Sequence, residues 1–298
     1  MNKTLKKLVL KELCPHVTWH LTDVMKSTLK LQLSRLPRGE VSEDERRYPK
    51  TPVGMRAFLV RFFTRHILQT QNSLLDYMIS EDFIEIIRHG NLRILDIGSG
   101  PAVASLAISD MLRYILSYIG EEENWSMDKR LDMDYILNDT SSICLGTGQR
   151  MLADYFRIIG RQAGAMVRGR TISIQRAFPD NMHQIRRIML NLGFYDIIIL
   201  SYVVSPLDEH AGLSGLLAGL RDIETLCSRR GRIVILQDKY ETTLMGQIGR
   251  ALGEPSRRKE SRQEIFPIRN IKETYTYWYY CCLYSPVTKS IATQNRST

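Results

Sequence analysis

The 298-residue chain predicts an α/β protein, a mostly parallel sheet with an antiparallel final strand, preceded by an all-helical region. Three observations carry this. Short aliphatic runs, among them Leu92–Leu95, Met133–Leu137, Thr171–Ile174 and Tyr195–Ser201, alternate with helical segments, as buried parallel strands do. The segment Asn91–Asp110, NLRILDIGSGPAVASLAISD, runs from strand to glycine turn to helix. Before it, residues 1–90 carry helical periods only. The expected division is an all-helical region over 1–90 and a sheet domain over 91–298.

The first 38 residues are basic, with Leu5, Leu8, Val9 and Leu13 at helical spacing and a second, looser set at Val24, Leu29, Leu31 and Leu33. Two short amphipathic helices split near Pro15 follow. Their basic residues face nucleic acid or form a solvated face; the sequence leaves both open. Ser42–Pro52 has no apolar period and reads as an exposed loop. Gly54–Met78 is strongly helical, with Phe58, Phe62, Ile67, Leu74, Leu75 and Met78 as a core-facing stripe and Arg56, Arg61 and Arg65 on the surface. His66 lies beside that stripe, where a structural role is expected. Ser80 caps one more helix that ends at His89-Gly90.

At the central junction Leu92-Arg93-Ile94-Leu95 forms the strand, Asp96 ends it, and Gly98-Ser99-Gly100 precede a helix from Ala102. Glycines there let the backbone approach a ligand and adopt φ values that other residues resist. This makes a nucleotide-type pocket. A dinucleotide fingerprint would need a third glycine at position 103, which is valine.

LDIGSGPA resembles the first motif of the class I S-adenosylmethionine (SAM) methyltransferases, in which an acid stands two residues before G-x-G. The resemblance implies a Rossmann-like SAM-binding sheet over 91–298 with an antiparallel final strand, a helical cap or substrate region over 1–90, SAM as cofactor, and Asp96, Gly98, Ser99 and Gly100 at the cofactor. It also implies that the acid ending the second strand, Asp139, accepts hydrogen bonds from the two ribose hydroxyls, a task suited to an acceptor-only carboxylate. Thr140 follows in that turn, and DTSSICL resembles the family's continuation into a helix. Asp139 as a plain helix cap is the bland alternative, and the two roles are compatible. At the end of the third strand, Gln175 stands where the family usually has an acid facing adenine, so backbone groups near Ala177 are expected to serve instead, and Phe178 lies on the adenine ring or closes the core. YDIIILS resembles the fourth strand, bringing Ser201 and Tyr202 to the methyl-transfer end. The N-P-P-[YF] tetrapeptide of amino-methyltransferases is absent.

Beyond the fourth strand, Pro206–His210 reads as a loop and offers His210 as a candidate base, or as an exposed loop histidine. Leu213–Ser228 reads as helix, Arg229-Arg230-Gly231 as a basic turn, and Arg232–Leu236 as the fifth strand. Ser256–Lys272 reads as a basic loop, and Tyr275–Tyr284 as an aromatic strand that packs the sheet or stacks on RNA bases. The stretch Tyr195–Gly246, with the glycine motif, resembles small-ribosomal-subunit-associated methyltransferase-like proteins, although the extra cysteines of that branch are missing.

Forty-one basic against 32 acidic residues leave a net charge of +9, which favours an RNA or ribosomal surface as partner. A small-molecule acceptor is the alternative, and a non-catalytic SAM-fold interaction factor a third reading. The five cysteines form no zinc or disulfide framework. No apolar run is long enough to span a bilayer, and MNKTLKKLVLKELC lacks the apolar core of a signal peptide, so no membrane partner and a cytoplasmic location are expected.

Overall fold

The computed structural model describes residues 2–14, 19–122, 131–160, 167–237, 242–253, 257–265 and 275–286. At its centre β1 (Asn91–Ile97), β2 (Leu131–Asp139), β3 (Val167–Gln175), β4 (Tyr195–Ser201) and β5 (Cys227–Gln237) run parallel in the order β3-β2-β1-β4-β5. β7 (Tyr275–Tyr284) adds antiparallel to β5, and β6 (Arg257–Ile265) closes the edge antiparallel to β7. This is a Rossmann-like, mostly parallel sheet ending in an antiparallel edge, as the sequence predicts. β1 and β4 are neighbours whose successors wind outward in opposite directions. Such a switch point leaves a crevice at the carboxyl ends of the strands, where ligands of open α/β sheets bind.

Burial on both faces explains the aliphatic runs: Tyr195 to Leu200 of β4 are all buried. One face is covered by α6 (Val103–Glu122) and α7 (Ser142–Gly160), the other by α8 (Met182–Leu192), α9 (Val204–Glu224) and α10 (Thr242–Leu252). Ahead of the sheet come α1 (Asn2–Leu13), α2 (Asp23–Arg35), α3 (Glu43–Arg47), α4 (Pro52–Met78) and α5 (Glu81–Arg88). Thr22, Ser42, Thr51 and Ser80 cap α2 to α5 through their hydroxyls, and Pro52 opens α4 at a position that needs no N–H donor. Leu5, Met25, Phe63 and Ile67 of these helices share one continuous core with Leu106, Ile115 and Leu152 of α6 and α7.

Polar ties fix the helical region to the sheet layers. The fully buried Asp110 of α6 accepts hydrogen bonds from Thr22 Oγ1 (3.0 Å), Gln71 Nε2 (3.2 Å) and Tyr155 Oη (3.4 Å), so one carboxylate joins α2, α4, α6 and α7. Lys6 pairs with Asp76 at 2.6 Å and Arg35 with Asp154 at 2.5 Å. Part of the basic N-terminus is thereby spent on internal pairing.

Several expected loops are structured. Ser42–Pro52 contains α3, whose acidic first turn and capping serine suit a helix start. Pro206–His210 lies in the first turns of α9, which is interrupted at Gly212 (φ +66°) before continuing. Arg229-Arg230-Gly231 belongs to β5, where the pairing with β4 shifts register between Tyr195 and Ile197. Of the basic stretch Ser256–Lys272, residues 257–265 are β6: pairing with β7 outweighs poor strand propensity. The described side chains at the end of β7, Cys281 to Tyr284, are buried, as are Cys144 and Cys227. Pro15, Arg161, Asp238–Tyr240, Arg269, Lys272, the middle of the loop after α6 and the tail from Ile291 lie outside the described residues. Among the described residues, no helix is long and apolar enough to cross a membrane.

Burial outweighs the hydrogen bonds of Asp110 and raises it from 3.8 to about 6. Its native pKa exceeds the unfolded one, so the native state binds the extra proton between the two values. The associated stability is present below 3.8 and is lost as the pH rises through about 6, on the order of 3 kcal/mol for a shift of this size. Asp110→Asn is therefore expected to gain unfolding free energy relative to the wild type between roughly pH 4 and pH 8, measured by urea denaturation at each pH. An unchanged difference across that range contradicts this account.

Candidate functional site

A cavity of about 1000 Å³ opens at the carboxyl ends of β1, β2, β4 and β5. Its floor is the turn after β1. Gly98 (φ +64°) and Gly100 (φ +51°) both take left-handed conformations, and their surroundings differ. A Cβ on Gly98 would collide with Val203, so glycine is required for close packing there. A Cβ on Gly100 would meet nothing within 4 Å, so its backbone faces open space.

Asp139 holds this turn. Its Oδ2 accepts the Gly100 N–H at 2.9 Å and its Oδ1 accepts the Ser141 N–H at 2.8 Å. Burial raises its pKa, while backbone hydrogen bonds from Ser141, Gly100 and Thr140 act against the rise. The neighbouring Asn138 accepts the Ser99 N–H at 2.9 Å through its carbonyl and donates from Nδ2 to the carbonyls of Ile174 (3.1 Å) and Arg176 (2.6 Å). The ends of β1, β2 and β3 are thus stapled together around the cavity. Ser141 Oγ also donates to the carbonyl of Pro49 (3.1 Å), bringing the segment before α4 to the rim.

Gly98, Ser99, Gly100, Asp139, Thr140, Ala177, Phe178, Ser201, Tyr202 and His210 all line the cavity. Asp96 does not. It is fully buried beneath the turn, where Oδ2 accepts the Ser105 hydroxyl at 2.7 Å and burial raises it to about 7. Its place is under the β1–α6 junction. Gln175, the residue in place of the family's acid, donates to the Thr140 carbonyl at 3.4 Å.

Tyr202 adopts φ +60°, unusual for a bulky residue, and is fixed there by its N–H on the Leu236 carbonyl (2.8 Å) and its hydroxyl on Gln69 Oε1. His210 is half-exposed at the rim, with Nε2 3.3 Å from Asp180 Oδ2.

The opposite wall belongs to α4 and differs from the expected core stripe. Ile67, Leu74, Leu75 and Met78 are buried, but Phe58 and Phe62 are only half-buried and line the cavity together with His66. The core positions are Met55, Leu59 and Phe63. The sequence does hold the signal: two stripes at i, i+4, i+8 run one position apart, Met55-Leu59-Phe63 and the all-ring Phe58-Phe62-His66. The His66 ring stacks on Tyr202 with centroids 3.9 Å apart and lies 5.4 Å from Phe62. Burial, and then the charge of Arg65, pulls its pKa well below 6.5, so the imidazole is neutral. Arg61 and Arg65, read from sequence as surface residues, also reach the cavity, as does Gln237 at the end of β5.

No family model matches this sequence, and no curated protein matches it. Among solved structures, similar chains include a precorrin-6Y C5,15-methyltransferase from Geobacter metallireducens (TM-score 0.43, 11% identity, covering 73% of this chain and 88% of that one). Others are the N-methyltransferase NodS from Bradyrhizobium japonicum (0.39, 10%, 74% and 97%) and a TehB-like SAM-dependent methyltransferase from Corynebacterium glutamicum (0.37, 11%, 73% and 87%). None of the three is described as ribosome-associated, and the resemblance of Tyr195–Gly246 to that branch gains no support. Likeness of this order leaves the chemistry to be read from the chain's own residues.

The contrast between the two glycines is testable. Both alanine variants carry left-handed strain of about 1–2 kcal/mol, and only Gly98→Ala adds a collision. Gly98→Ala should therefore lower the melting temperature clearly more than Gly100→Ala, by circular dichroism. Equal losses would mean that Val203 yields without cost.

Proposed function

We propose that this protein is a SAM-dependent methyltransferase whose acceptor enters between α4 and the turn joining β4 to α9. The observation that carries the reading is the Asp139 staple beside the open face of Gly100, at the switch point of the sheet. The residues fit the cofactor. A carboxylate offers about four acceptor positions, and backbone donors leave room for the ribose hydroxyls. Gly100 presents bare backbone to the cavity. Bound there, SAM would supply a methyl group made electrophilic by its sulfonium.

The protein's own task is alignment and exclusion of water. Ala177 and Phe178 border the adenine side, with backbone groups replacing the acid that Gln175 lacks. Ser201 and Tyr202 bound the transfer end, and the strain at Tyr202 is fixed by two hydrogen bonds. A base is required only when the acceptor atom must lose a proton. His210, oriented by Asp180 at the rim, is the proposed proton acceptor, with Tyr202 lining the acceptor's path.

The aromatic wall and the internal pairing of Lys6 and Arg35 support a small acceptor held inside the cavity. The net charge of +9 supports a second reading, an RNA acceptor at the mouth. A non-catalytic pocket of the same shape would bind cofactor without turnover.

Calorimetric titration of S-adenosylhomocysteine tests the cofactor site. Micromolar binding to the wild type, weakened at least about tenfold in Asp139→Ala with the fold intact by circular dichroism, is the expected result. Absence of binding to the wild type overturns the proposal.

A further inference from the structure

Resting on the methyltransferase reading, we infer that the acceptor is a small, planar aromatic acid: a flat ring carrying a carboxylate. The first ground is charge. Five basic side chains, Arg47, Lys50, Arg61, Arg65 and Arg176, line the cavity, against the single acid Asp139. SAM has a sulfonium and an ammonium of its own and only one carboxylate. Even with Glu43 shared between Arg47 and Arg61, this cationic excess is not complementary to the cofactor, and it suits a second ligand that brings negative charge.

The second ground is shape. Along α4 and into the β4–α9 turn runs a ladder of rings. Phe58 and Phe62 lie 5.2 Å apart, Phe62 and His66 5.4 Å, and His66 and Tyr202 3.9 Å. It leads from the rim to the end of β4, where transfer takes place. Aromatic walls bind flat rings through offset or edge contacts. The Arg61 guanidinium lies 5.1 Å from the Phe62 ring centre, so a ring on this wall has a cation beside it to meet its carboxylate.

The third ground is a donor without a partner. Gln237 is 6% exposed, lines the cavity, and its Nε2 finds no hydrogen-bond partner among the described residues. A polar substituent of the acceptor would satisfy it, where an unpaired buried amide costs stability. A cavity of about 1000 Å³ has the capacity for one cofactor and one such molecule.

Glu43 gives the inference a handle outside the site's lining. Its carboxylate pairs with Arg61 at 2.5 Å and Arg47 at 3.5 Å, and the Arg61 hydrogen bond lowers its pKa. An exposed pair of this kind is weak. An incoming acid would therefore compete with Glu43 for the same two guanidinium groups.

The test is a set of matched carboxylic acids and primary amides on benzene, naphthalene, indole and quinoline scaffolds. Each is titrated into protein saturated with S-adenosylhomocysteine and followed by ligand-observed NMR. On at least one scaffold the acid is expected to bind about tenfold more tightly than the amide. Phe62→Leu should weaken that acid about fivefold, and Glu43→Gln should tighten it about threefold, with S-adenosylhomocysteine affinity unchanged in both. The inference is overturned by the absence of acid preference on every scaffold, or by a preference that survives Phe62→Leu. It is equally overturned by a short single-stranded RNA that displaces the best acid with a steep salt dependence, which would move the acceptor to nucleic acid. Failure of the wild type to bind S-adenosylhomocysteine is a separate result and strikes the methyltransferase reading instead.

Discussion

The site depends on one carboxylate accepting two backbone N–H groups. Asp139 bonds Gly100 on the turn after β1 and Ser141 at the start of α7. Two loops that would otherwise move independently thus share one anchor. Its burial makes the arrangement demanding, since desolvation disfavours the charged form and only the hydrogen bonds oppose it. The same geometry holds Gly100 with its bare face toward the cavity. In the proposed function, the cofactor pocket and this structural staple are one set of atoms.

The helical region is held by a comparable device at a distance from the site. Asp110 gathers donors from the residue capping α2, from α4 and from α7, and Arg35 with Asp154 adds a second tie. These contacts matter for the proposed function because α4 supplies one wall of the cavity. A rigid α4 keeps its aromatic stripe in register with Tyr202, whose own strained backbone is fixed from the β5 side through Leu236. This wall is therefore braced from both the cap and the sheet.

Much of this was legible in the sequence, and the part that was not has physical reasons. β1, β2, β4 and β5 announced themselves because burial on both faces demands continuous aliphatic runs, while β3, at the sheet edge with only Ile174 buried, showed just its short Thr171–Ile174 core. The glycine turn and Asp139 were legible because few residues satisfy their backbone and acceptor requirements. Asp96 belongs to the same motif, yet local pattern does not reveal that its carboxylate turns under the junction toward Ser105. β6 was hidden because an edge strand can be highly charged when tertiary pairing decides its state. His210 was placed in a loop because Gly212 breaks the helical period that it follows. Phe58 and Phe62 were assigned to the core because hydrophobicity alone does not distinguish a core from a ligand wall one position around the helix.

That last ambiguity separates the two halves of the site. The half proposed for the cofactor is written on the sheet, in turns where glycine conformation and an acid leave little freedom. The half proposed for the acceptor is written on one face of α4, in rings and guanidinium groups that line the cavity. Replacing Phe62 or Arg61 changes the wall and leaves Met55, Leu59 and Phe63 in the core, whereas Phe58 packs against that core as well as lining the cavity. A helix with its core stripe and its ligand stripe side by side can change acceptor while the pocket beneath remains intact. If the proposed function holds, acceptor choice is to be sought on α4 and cofactor binding at the ends of β1, β2 and β4.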